Sequence, residues 1–186
     1  MKKFVVSLVC LLCSATSFAG NPVEVKSGDL SVLKEKAQAL LEFDYSAATV
    51  GEKTLNEYLK GRGDDFVRDW PTDILGAASY FTATFNKKNK KGMQISPNES
   101  AAAYKIIVHV KNLDMGNGGS TFVPFASAKA GGVIMTGTID IVKLETNEIV
   151  CNLSVDEVKG IGTVSEAGRL TLMYGELATK LCKLAK

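Results

Sequence analysis

One histidine, His109, confines any imidazole chemistry in this chain to a single position. It stands in a stretch where Tyr104, Ile106, Val108 and Val110 alternate with Lys105, Ile107, His109 and Lys111. That two-residue period puts the first set on the buried face of a strand and the second on its more polar face. An imidazole becomes a general base only when a group to activate or a carboxylate to orient it stands within hydrogen-bond reach. Nothing in the flanking sequence places a serine, cysteine or carboxylate beside His109. It therefore reads as a half-covered surface histidine, and Lys105, His109 and Lys111 together as a contact surface.

Gly116-Asn117-Gly118-Gly119 invites comparison with phosphate-binding loops. Those loops work because a glycine turn delivers backbone N–H groups and a helix N-terminus to the anion. Here Phe122-Val123-Pro124 follows, no helical pattern begins, and no Gly-Lys-Ser/Thr ending is present. The segment reads as a connection between strands whose glycines, Gly116, Gly118 and Gly119 with Asn117, are available as an interaction surface. Asp44, Asp64, Asp65, Asp69, Asp73, Asp140, Asp156 and Glu157 are scattered, and several fall near helix starts where dipole and capping chemistry accounts for them. A glycosidase would need two of them facing each other across a cleft.

The elements that must position these residues come next. Ala37, Ala39, Leu41, Phe43 and Tyr45 share one face of a strand, preceded by a short extended lead-in over Val23 to Asp29. Thr54 with Glu57 makes a capping box ahead of a short helix that Gly61 and Gly63 stop. From Asp64, Trp70, Ile74, Ala78, Phe81 and Phe85 form an apolar stripe at three- and four-residue spacing. Pro71 either kinks that helix or opens a second one near Asp69. Lys87, Lys88, Lys90 and Lys91 then sit where the helix dipole favours cations. Val133 to Leu144 and Glu148 to Val155 read as an antiparallel hairpin turning at Thr146-Asn147. Thr163 and Glu166 cap a last helix bearing Leu170, Tyr174, Leu177, Leu181 and Leu184. The expected fold class is α+β, an α/β sandwich. Its mainly antiparallel sheet has about four to five strands, with helices packed on one face.

The first nineteen residues carry the compartment. Lys2 and Lys3 precede an apolar run from Phe4 to Leu12, and Ser17-Phe18-Ala19 offers a small-residue cleavage site before Gly20. This is the layout of a bacterial Sec signal peptide, followed by one globular domain over 20–186 in the periplasm or secreted. Cys10 follows Val9 and Cys13 follows Leu12, so neither looks like a lipidation site. After cleavage no transmembrane segment is expected. Removing Lys2 and Lys3 from 22 Lys+Arg leaves 20 against 20 Asp+Glu, a neutral balance that argues against nucleic-acid binding. Only Cys151 and Cys182 then remain. In an oxidising compartment they permit one disulfide, closing a loop of ~30 residues worth about 3–4 kcal/mol. The alternative is two buried thiols that never meet. Two cysteines without a nearby histidine make no metal site, and no cofactor motif is present.

From Tyr104 onward a strand ends in a glycine-rich loop, and a long strand passes through Glu145-Thr146-Asn147-Glu148 into Ile149-Val150-Cys151. A loop punctuated by Gly160 and Gly162 then leads to a helix with Leu177, Ala178 and Leu181. Over these last 80 or so residues the chain resembles the small α/β envelope domains of the curli-secretion lipoprotein, penicillin-binding-protein activator and TolB N-terminal type. That resemblance implies an assembly or regulatory binding module. Many such domains are lipid-anchored, and this chain lacks the lipidation motif. The expected function is thus an exported, non-enzymatic module that binds another envelope protein or polymer. The alternatives are a small-molecule or lipid carrier with a pocket between the aromatic helix and the sheet, and a cell-wall hydrolase built on converging carboxylates or on His109 with a partner.

Overall fold

The structure is a computed structural model that describes residues 21–116, 131–163 and 165–185. The leader, with its Ala19 cleavage site, and Asn117, Gly118 and Gly119 lie outside these residues.

Val23–Gly28 is a strand, β1, and not merely a lead-in. A 3₁₀ turn, Leu30–Lys34, is capped by Asp29, whose carboxylate accepts from the Ser31 N–H at 2.8 Å. Strand β2 is Gln38–Asp44, followed by two short strands, β3 (Thr49–Val50) and β4 (Lys53–Thr54). Helix α1 is Leu55–Arg62; its capping box is in place, with Thr54 Oγ1 accepting from Glu57 N–H and the Glu57 carboxylate accepting from Thr54 N–H. Gly61 lies inside α1, and Gly63, at φ 121°, ends it. Helix α2 then runs unbroken from Asp64 to Lys88 through Pro71, so the proline neither ends a helix nor starts one. The cost is one N–H lost from the ladder, set against an apolar stripe that buries Ala77, Phe81 and Phe85. Lys87 and Lys88 occupy its last turn, exposed.

Strands β5 (Gln94–Ile95), β6 (Ala102–Asp114), β7 (Ile134–Lys143) and β8 (Glu148–Lys159) follow, then helix α3 (Glu166–Leu184). The cap of α3 is Ser165, not Thr163: the Ser165 hydroxyl accepts from Gly168 N–H at 3.1 Å. The Thr163 carbonyl instead accepts from buried Arg169 at 3.0 Å, and Arg169 Nε also donates to the Met115 carbonyl. One arginine thus ties the start of α3 to the end of β6.

The sheet has eight strands and is mixed, which corrects the expected mainly antiparallel sheet of four to five. Its order is β1-β8-β7-β6-β2-β5, with β3 paired to β6 and β4. The β1-β8-β7-β6 side is antiparallel, whereas β2 runs parallel to both β6 and β5, and β3 parallel to β6. The reason is connectivity. Helices α1 and α2 carry the chain from the end of β2 back to the start of β6, as a parallel neighbour requires. The added strands β3, β4 and β5 are two residues each, too short for any period to reveal.

Residues Tyr104, Ile106, Val108 and Val110 of β6 and Met135, Ile139 and Ile141 of β7 are buried in one cluster with Phe81, Phe85, Leu170, Tyr174 and Leu177 of the helices. Phe43 meets Phe81 edge-on at 5.8 Å and Tyr174 at 4.4 Å between ring centres, so aromatic side chains fill the space between α2 and the sheet. The Tyr45 and Tyr174 hydroxyls are hydrogen-bonded to each other, and burial pushes both phenols above their ordinary range. Cys151 and Cys182 belong to this core as separate buried thiols, one of the two arrangements the sequence left open. Cys182 on α3 turns its sulfur to the Phe85 carbonyl of α2 at 3.7 Å, and burial raises the Cys151 thiol.

Candidate functional site

The opposite face of the sheet is where the chemistry-bearing residues gather. On β6, Lys105, Ile107 and His109 are half-buried while their neighbours are fully buried, as the two-residue period requires. Pairing then decides who stands beside His109. Across β2 its partner is Asp44, and across β7 it is Thr138, with Asp140 one step along the same face.

His109 Nδ1 lies 2.8 Å from Asp44 Oδ2, and Nε2 lies 3.2 Å from Asp140 Oδ2. The other oxygen of Asp140 accepts from Asn152 Nδ2 of β8 at 2.6 Å, and Asp44 Oδ1 accepts from the Ser46 N–H at 2.9 Å. A polar chain therefore crosses four adjacent strands, β8, β7, β6 and β2. Only the doubly protonated imidazolium can donate to both carboxylates; a neutral ring leaves one nitrogen lone pair against a carboxylate oxygen. The Ser46 hydroxyl and N–H, and then the His109 ring, hold the Asp44 carboxyl down at about 2. About a third of the His109 side chain is exposed (34%), against 15% for Asp140.

The flanking lysines play different parts. Lys105 is paired with Glu42 of β2 at 3.1 Å. Lys111 sits at a bulge, where the β6–β7 register shifts between Val110 and Asn112, and its side chain is exposed. The bulge needs Gly137 opposite: a Cβ there would stand 2.2 Å from the His109 carbonyl oxygen. Lys111 lines a polar cavity of about 550 Å³ with Lys26, Glu24, Thr136, Ser154 and Glu157. Gly116 (φ 63°) lies past the end of β6, away from this row, and packs against the Gly131 carbonyl.

No protein-family model and no curated protein sequence matches the chain. Among solved structures it is similar to a PelC dodecamer from Paraburkholderia phytofirmans. The TM-score is 0.44 and the identity 11%, over 84% of this chain and 96% of that one. A single-substitution form of the same dodecamer gives a TM-score of 0.42 and 11% identity, over 86% and 96%.

The structure thus brings Lys105 and His109 onto one face, sets Lys111 at its end, and leaves Gly116 apart. The sequence showed Asp44 and Asp140 only as scattered carboxylates, not beside His109, and did not single out Asn152. One signal for them was there. Asp140 lies between Ile139 and Ile141 in an alternating strand, and a carboxylate at a half-buried strand position needs a hydrogen-bond partner. His109 was the one imidazole on offer. Among the described residues, no group of three or more His, Cys, Asp or Glu side chains is arranged to hold a metal ion.

Proposed function

We propose that this protein is an exported, non-enzymatic module of the cell envelope whose open sheet face, around Lys105, His109 and Lys111, binds another envelope protein or polymer. The observation that carries this reading is the double engagement of His109. Each ring nitrogen faces a carboxylate, so the ring ties β2, β6 and β7 into one polar surface, and Asp140 extends it to Asn152 of β8. The aromatic packing between α2 and the sheet supports the same reading over a carrier, because side chains fill the place a carrier would keep for its ligand. A cell-wall hydrolase would have to open one of the two His109 bonds to free a nitrogen.

Pull-down from an envelope extract tests the surface. The triple variant Lys105→Ala, His109→Ala, Lys111→Ala is expected to recover at least fivefold less partner than wild type, with Glu52→Lys on an exposed turn as the control. Equal recovery by the triple variant removes the face as the contact site. Export is tested by the intact mass of the protein from the periplasmic fraction, expected to begin at Gly20.

A further inference from the structure

Among the described residues, the sheet is unfinished along β2. Strand β5 pairs with it only at Gln38 and Ala39, and the Ser96 N–H adds one last bond to the Ala39 carbonyl at 3.0 Å. Pro97 then follows, with no N–H to give, and the chain turns away into Glu99–Ala101. Because N–H and C=O directions alternate along a strand, Leu41 and Phe43 point theirs outward as Ala39 does. Among the described residues those outward groups have no backbone partner. An open strand edge of this kind is a template for another strand.

Beside that edge runs a groove of about 650 Å³, walled by Leu40 and Leu41 on one side and Leu75, Ala78 and Thr82 of α2 on the other. Leu75 is 68% exposed, an apolar side chain presented to whatever enters. Glu42 and Lys105 neutralise each other at 3.1 Å, which leaves the Glu99 carboxylate as the net charge of the lining. Unpaired main-chain donors and acceptors, an apolar shelf and a residual negative charge together specify the occupant.

We propose that the outer edge of β2 takes up an extended polypeptide segment of a partner protein. The segment adds as a strand in line with β5, its alternate apolar side chains on α2 and a basic residue near Glu99. The open run from Leu40 to Asp44 accommodates about five residues, roughly 16 Å at ~3.3 Å per residue. The site borders the polar face, sharing Lys105 in its lining and Asp44 at its end, but its main-chain pairing does not depend on the reading of that face.

The test uses the mature chain and a pool of fluorescein-labelled hexapeptides alternating valine and threonine with one terminal lysine. Binding is expected to slow amide exchange at Leu41 and Phe43 at least tenfold. N-methylation of alternate peptide nitrogens on the pairing edge, or Leu75→Lys in the protein, is expected to weaken Kd at least tenfold without moving the unfolding midpoint. Four results overturn the proposal. They are no binding by any member of the pool at millimolar concentration, binding without protection of Leu41 and Phe43, equal affinity for the N-methylated peptides, and protection that rises with protein concentration alone, which assigns the edge to a second copy.

Discussion

The two faces of β6 are built from the same thirteen residues and hold the molecule by different means. One face sets Tyr104, Ile106, Val108 and Val110 against the aromatic side chains of α2 and α3, where stability comes from apolar area removed from water. The other sets Lys105 and His109 among Glu42, Asp44, Asp140 and Asn152, where it comes from charge-assisted hydrogen bonds at the edge of solvent. The difference teaches where change is tolerated. The packed face has no room for reassignment, whereas the polar face can trade partners with water or with another molecule.

Truncation should break this comparison most visibly. Phe81→Ala empties a fully buried site between Phe43 and Phe85 and is expected to cost about 3–5 kcal/mol, read from urea unfolding. His109→Gln on the other face removes the ring that bridges two carboxylates from opposite sides and is expected to cost about 1–3 kcal/mol by the same measurement. If the two variants are equally destabilised, the polar face is as much core as the packed one. A double-mutant cycle of His109→Gln with Asp140→Asn sharpens the point: coupling well above zero is expected, since the two share a bond.

Of the two faces of β6, acid should act on the polar one. The Asp44 carboxyl sits at about 2 in the folded chain against an ordinary 3.8, so unfolding takes up a proton between those values. Its stabilising contribution is complete above pH about 4 and is lost as pH falls towards 2. Unfolding midpoints across that window should fall for the wild type and fall less for Asp44→Asn. Smallest is a change remote from both faces: Thr54→Ala removes the cap of α1 and is expected to cost about 1 kcal/mol, seen as a modest drop in Tm.

Much of this architecture was readable from local pattern. The alternation around His109 located β6 and its two faces, the three-and-four spacing located α2 and α3, and Thr54 with Glu57 located the start of α1. Pro71 left two readings open, one helix passing through it or a second helix starting beside it, and the structure has the single helix. The cap of α3 was misplaced by two residues: Ser165 accepts from Gly168 N–H, while Thr163 holds Arg169 through its carbonyl.

Left to itself, the sequence determined the two faces of β6 and put Phe81 and Phe85 of α2 and Leu170, Tyr174, Leu177 and Leu181 of α3 inside, because a period of two or of three to four is a property of the backbone alone. It also supplied the one histidine and the neutral charge of the expected mature chain. Only the tertiary structure decided that β2 lies parallel to β6, and so that Asp44 meets His109 while Asp140 closes from the other side. Strand neighbours are chosen by how whole elements pack, and that choice leaves no mark on any single stretch of residues. Among the described residues, the same choice left the outer edge of β2 without a backbone partner beyond Ala39.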